Sequence, residues 1–321
     1  MKAKKLFAIT AATLLLSSFL TAGETSYPLT VTVFDASGKE MRQTVSKRPT
    51  RVVTSNVSST EILLKLGLKD TIIGILKPDN KITNEYAADF ASFKVIGDKK
   101  SLSKEAVLAA RPDIIVGRDK LFNAKALGTV AELNAAGIAA VPQKASVTGI
   151  NPVLETVLED IQTYGKIFNA QDKAAELTAQ LAARIKETDA LVRSKAKGTQ
   201  KVLAMTNFNG NVFGSFDVST GLQGNVLARL KLVPALDKPA NELGLENLVS
   251  MNPDIIFYIT ADRNAKNDPT AIQNLRTNGA LANVTAVKNN AIIAIAYDDF
   301  MDYGVRTIEI YSKLAKALYG N

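Results

Sequence analysis

Two arginines occupy matching places in this chain. Arg118 directly follows the run Ile114-Ile-Val-Gly117, and Arg263 follows the longer run that starts at Ile255, each run being preceded by Pro-Asp. A guanidinium offers charge, a fork of donors and a flat stacking face together, so two of them facing one another suit a planar anion. The alternative for each is a solvated surface arginine balanced by its neighbouring acid, Asp119 or Asp262. Tyr297 and Tyr303 bracket a loop that also carries Asp298, Asp299 and Asp302. A tyrosine there can stack on a ligand, donate a hydrogen bond, ligate ferric iron as phenolate, or simply fill space. The three acids could hold a hard cation through oxygen, or form a solvated cluster that favours turns. Ser55 and Asn56 follow one further aliphatic run, and Asn207 and Phe208 another. By position these four are polar and aromatic contacts for a ligand, or plain loop residues. Glu105 and Glu246 stand at the same point of a repeated segment, where an acid near a helix start contributes ~0.3–1 kcal/mol through the helix dipole.

Composition narrows the chemistry. Among 321 residues there is no Cys, no His and no Trp. Disulfides, thiolate nucleophiles, imidazole metal ligands and the Ser-His-Asp and Cys-His arrangements are therefore excluded. Phosphate-cradling glycine loops, the Gly-x-Ser-x-Gly elbow and a complete EF-hand loop are absent as well. The 39 Lys and Arg against 31 Asp and Glu are interspersed, without the basic stripe that nucleic acid demands. A binding protein with no metal site of its own fits this inventory. An exported oxygen-ligand metal hydrolase built on Asp298–Asp302 is the rival, and it lacks a general base of tuned basicity.

These residues need a scaffold, and the chain repeats itself to supply one. Glu105-Ala-Val-Leu-Ala-Ala-Arg-Pro-Asp-Ile-Ile115 recurs as Glu246-Asn-Leu-Val-Ser-Met-Asn-Pro-Asp-Ile-Ile256. Each copy reads as a short helix, ended before Pro, and then a buried strand. Arg51–Thr54 followed by Glu61–Leu68 gives strand, loop and helix, and Lys201–Ala204 followed by Asn225–Leu232 gives the same order. Gly137–Val141 and Ala291–Ala296 close the two halves with further strands. Strands alternating with helices predict an α/β fold of two lobes, each a largely parallel sheet flanked by helices. The lobes are joined by one long helix, with a ligand cleft between them at the C-terminal strand ends. Residues 1–23 read as a signal peptide: Lys2, Lys4 and Lys5, an apolar run Leu6–Leu20, then Thr21-Ala22-Gly23. The predicted division is 1–23 signal peptide, 24–150 N-terminal lobe, 151–198 helical segment with the linking helix, and 199–321 C-terminal lobe.

The whole mature chain resembles the helix-linked (class III) substrate-binding proteins of ABC importers, which carry ferric siderophores, haem and vitamin B12. The likeness runs from Arg48-Pro-Thr-Arg-Val-Val53 and Thr60-Glu-Ile-Leu-Leu-Lys-Leu-Gly67 through both Pro-Asp-Ile-Ile copies. Gly117-Arg118, Asn211-Val-Phe-Gly214 and Asp262-Arg263-Asn264 make it most similar to the catecholate, enterobactin-type binders. A lipid anchor would need Cys at the cleavage point and is not expected in a sequence with no Cys. The resemblance implies a periplasmic monomer without a permanent cofactor. It would capture ferric iron as a siderophore chelate and hand it to a dimeric permease with its ATPase. Glu105 and Glu246 would then form salt bridges to the two permease subunits. Haem or another chelate is the alternative cargo. The chain departs from the pattern where relatives use a His for iron, Gly224 or Asn225 standing there, and where a further arginine gives way to Ser219 and Thr220.

Overall fold

The computed structural model describes residues 23–98 and 103–320, so all of the expected signal peptide except Gly23 lies outside the described residues. Thirteen strands are described: β1 Leu29–Phe34, β2 Glu40–Val45, β3 Val52–Thr54, β4 Ile72–Leu76, β5 Val95–Gly97, β6 Ile114–Gly117, β7 Ala139–Pro142, β8 Gln200–Thr206, β9 Val212–Ser215, β10 Leu232–Pro234, β11 Ala240–Gly244, β12 Ile255–Thr260 and β13 Ile292–Ala296. The first lobe is a parallel five-stranded sheet in the order β5-β4-β3-β6-β7. The second has the order β11-β9-β8-β12-β13, with β10 pairing the start of β8. There β8, β12 and β13 are parallel, while β9 and β11 run antiparallel at one edge. The hairpin of β1 and β2 is antiparallel and packs beside β7. The central strands are largely apolar on both faces and buried, as a parallel sheet covered by helices requires.

The repeated Pro-Asp acquires a physical reason in the fold. The helices Lys104–Ala109 and Leu245–Met251 are each followed by a residue in left-handed backbone, Arg111 at φ 50° and Asn252 at φ 41°. Asp113 then accepts the N–H groups of Thr50 and Arg51 at 2.9 and 3.1 Å, and Asp254 accepts that of Lys201 at 2.7 Å. The Arg51 guanidinium returns to the carbonyls of Ala110 and Arg111, and the Lys201 ammonium to that of Met251. Each copy so ties its helix end to the start of the neighbouring strand, β3 or β8, and fixes the parallel register beside it. The cationic side chains at the helix ends also satisfy carbonyls that the helix leaves open.

The helix Leu154–Phe168 turns through left-handed Asn169 into Gln171–Lys195, and the two pack together. The second helix carries the chain into the second lobe over 25 residues, about 37 Å at 1.5 Å per residue. The C-terminal helix Val305–Tyr319 lies along it, Tyr311 donating to Asp189 at 2.6 Å. One apolar cluster runs through both lobes and these helices, so the lobes share a core. Two sequence expectations change. The first helix of lobe one begins at Val57 with Asn56 as its cap, which puts Glu61 inside the helix and buries it. Asn151-Pro152 reads in the sequence as an N-cap with Pro at the first helical position. Instead Asn151 takes left-handed backbone, and Asn225 of the second lobe accepts the N–H of Leu154, the first residue of the helix.

Candidate functional site

The C-terminal ends of β3, β4 and β6 face those of β12 and β13 across a cleft. Gly117, at φ 147°, lets the chain turn at the end of β6; a Cβ there would lie 2.1 Å from Oγ of Ser55. That hydroxyl accepts the N–H of Arg118 at 2.9 Å and sets where the arginine leaves the strand. The guanidinium of Arg118 then lies over Tyr303 of the other lobe, 5.3 Å from the ring centroid. Its Nε is buried and has no hydrogen-bond partner among the described residues. Across the cleft the guanidinium of Arg263 lies over Tyr297, 4.7 Å from the centroid, and Phe216 braces that ring at 5.6 Å. Two arginine–tyrosine stacks therefore stand in one cleft, contributed by both lobes. Burial pushes the Tyr303 phenol up to about 12, Arg118 pulling the other way, so at neutral pH it is a protonated hydrogen-bond donor.

The cleft has a narrow inner part of about 30 Å³, lined by Ser55, Asn56, Arg118, Tyr297 and Tyr303. A wider mouth of about 520 Å³ is lined by Lys77, Asp79, Asp98, Asp262, Arg263 and Tyr297. The mouth alone is within the size of small-molecule sites, ~300–1,000 Å³. A hollow of about 540 Å³ between β2 and the opposite ends of the first sheet, reached by Arg42 and Lys47, faces no second lobe and is lined by none of the predicted site residues.

Of the residues singled out from sequence, Arg118, Arg263, Tyr297, Tyr303, Ser55 and Asn56 come together here. Asn56 is largely spent on structure: it caps its helix and bonds Ser58 and Gln143. Phe208 does not line the cleft. It is fully buried in the core of the second lobe, its N–H donated to the hydroxyl of Tyr258 at 3.1 Å. A large apolar side chain between Asn207 and Asn209 anchors that turn, and packing takes the ring inward. Asn207, at φ 51°, accepts from Asn267 at 2.8 Å and also lies off the cleft lining. Glu105 and Glu246 are exposed, each in the first turn of its matching helix. The Glu105 carboxyl is held below its ordinary range by its own backbone N–H and by Ser103.

The acids of the tyrosine loop bind protein rather than forming a cation cage. Asp298 accepts the N–H of Asn80 at 2.6 Å, Asp299 pairs with Arg306 at 2.9 Å, and buried Asp302 accepts the N–H of Gly304 at 2.8 Å. Among the described residues no three acids converge as a metal site. Sequence reasoning missed Lys77, Asp79 and Asn80. The aliphatic run Ile72-Ile-Gly-Ile-Leu76, followed at once by Lys-Pro-Asp-Asn, was the available signal for a strand end at the cleft.

Over residues 52–298 the chain matches a family model described as periplasmic binding protein. It is similar to the uncharacterised ABC transporter substrate-binding lipoprotein YvrC of Bacillus subtilis (strain 168), 23% identical over 292 residues, covering 90% of this chain and 85% of that protein. The petrobactin-binding protein YclQ of the same bacterium is 25% identical over 262 residues, 78% of this chain and 75% of that one. Among solved structures, a periplasmic binding protein from Veillonella parvula DSM 2008 superposes with a TM-score of 0.76 at 24% identity, covering 93% of each chain.

Proposed function

The chain belongs to the periplasmic binding protein family, and on that premise we propose that it captures an anionic ferric siderophore, of catecholate type, for an ABC importer. The chelate sits in the interlobe cleft, and iron travels as cargo rather than as a resident cofactor. One observation carries the reading: arginines from opposite lobes, Arg118 and Arg263, each lying over a tyrosine ring, face one cleft. Flat cations beside aromatic rings hold a negatively charged chelate, whose individual catecholate rings are flat, by charge, hydrogen bonding and stacking together. The petrobactin-binding relative supports an iron chelate as the cargo class. Tyr303, a phenol at neutral pH, stands at the inner cleft where it can donate to a chelate oxygen.

Delivery uses the other end of the two lobes' likeness. Glu105 and Glu246 are exposed on equivalent helices, one per lobe, and meet two permease subunits that carry the ATPase. The protein works in the periplasm as a monomer, its leader being residues 1–23. Among the described residues, no helix is long and apolar enough to cross a membrane.

The test is a titration of the intrinsic fluorescence of the eight tyrosines with ferric catecholates, ferric hydroxamates, ferric citrate and haemin. The reading expects the tightest binding from an anionic ferric catecholate. Preference for haemin or a neutral hydroxamate would replace the cargo, and no binding by any chelate would overturn the reading.

A further inference from the structure

The two cleft arginines are not equivalent. Among the described residues Arg118 makes no salt bridge, whereas Arg263 is held by the carboxylate of Asp79, which reaches it from the opposite lobe. Asp79 lies in the segment that leaves β4 and crosses the cleft mouth. Its side chain is 14% exposed against 42% for Arg263, so the acid is tucked under while the arginine keeps an open face toward the mouth.

The crossing does not depend on that carboxylate. The backbone carbonyl of Asp79 accepts the N–H of Asp262 at 3.0 Å. Asn80 next to it donates its N–H to Asp298 at 2.6 Å, accepts the N–H of Asp298 at 3.1 Å, and donates its side-chain amide to the carbonyl of Thr260 at 3.1 Å. Four hydrogen bonds hold the segment in place without the Asp79 side chain. The carboxylate is therefore an additional negative charge set on a cleft cation that an incoming anion would otherwise find open.

We propose that Asp79 is a charge-selecting residue, an internal counter-ion that a chelate must displace or outbid to gain Arg263. This rests on the reading of the cleft as a site for an anionic ferric chelate. Anions of low charge or loose fit meet an arginine already neutralised, and only a polyanion that engages Arg118 at the same time recovers the loss. Interfacial charge arrangement in general governs which partner is accepted more than how tightly the best one binds.

The experiment compares wild type, Asp79→Asn, Arg263→Gln and the double variant, using the ferric tris-complex of 2,3-dihydroxybenzoate as probe. Asn preserves shape and leaves the backbone bonds intact; Asp79→Ser serves if Asp79→Asn does not fold. The expected result is that Asp79→Asn tightens binding about tenfold, which is ~1.4 kcal/mol. Its affinity should also fall more steeply with added salt, because one more cation is open to the anion. In the Arg263→Gln background the same substitution should tighten binding less than threefold. Unchanged or weaker binding by Asp79→Asn overturns the proposal, as does equal tightening with and without Arg263. If wild type and every variant ignore the probe while binding another chelate of the panel, the same cycle is run on that chelate. If none binds, it is the proposed function that has failed.

Discussion

Arg306 of the C-terminal helix grips Glu61 of the first lobe with two bonds, Nε to Oε2 at 2.8 Å and Nη2 to Oε1 at 2.6 Å. The two residues are 245 positions apart and nearly sealed from water, with side chains 11% and 2% exposed. Asn84 adds a further bond to Glu61, and Asp299 takes the remaining arm of the arginine. Charges taken out of water this far are tolerated because every partner is satisfied, and removing one leaves the other stranded.

Arg306→Met should accordingly destabilise the protein by about 3–5 kcal/mol, as should Glu61→Leu, while the pair of changes made together should cost less than their sum. Urea denaturation of the three variants measures this. Single losses below about 1 kcal/mol would show that the pair does not couple the lobes.

Asp160 in the helix Leu154–Phe168 is wholly buried and accepts the N–H groups of Lys144 and Ala145 at 2.8 Å each. The turn it holds includes Ser146, which receives the N–H of Asp119, the neighbour of Arg118. Burial outweighs those bonds and pushes the Asp160 carboxyl up to about 7 from an ordinary 3.8. The folded protein thus keeps this proton where the unfolded chain has released it, so stability falls as pH rises from about 4 to about 7 and levels off above. Asp160→Asn removes that titration. Measured by urea at several pH values, wild type should lose roughly 3–4 kcal/mol more than Asp160→Asn across that window, at ~1.4 kcal/mol per unit. Parallel pH profiles would contradict this.

Replacing Glu105 and Glu246 together with Lys should leave chelate affinity within about twofold, since both lie outside the cleft lining. Uptake by cells carrying the cognate permease should collapse, because like charges across an interface repel as well as lose their partners. Single variants should be milder. Normal uptake by the folded double variant would reduce both glutamates to helix-start residues.

What was legible in the sequence, and what was not, divides along a physical line. The Pro-Asp copies were readable because their work is local: Asp113 and Asp254 fix a helix end against the next strand start, so the same letters recur wherever the unit recurs. The cleft-edge places of Arg118 and Arg263 were readable because each closely follows such a strand, one residue past β6 and three past β12. Phe208 occupies a comparable place after β8, but side-chain direction at a turn depends on packing, and the ring went into the core. Glu61 looked like a helix-start acid until Asn56 took the cap. The partners of Glu61, Asp79 and Asn80 in the other lobe are 180 to 245 residues away, and no local pattern announces them.

The central claim is that the cleft arginines hold an anionic ferric chelate, and Arg118 tests it most directly because no carboxylate among the described residues is paired with it in a salt bridge. The measurement is the dissociation constant of the best-binding chelate for wild type and Arg118→Ala, by tyrosine fluorescence. Charge-assisted hydrogen bonds contribute roughly 1.5–3 kcal/mol each, so affinity should drop tenfold or more, with Arg263→Ala falling less while Asp79 is present. An Arg118→Ala protein that binds every anionic chelate as tightly as wild type would contradict the account.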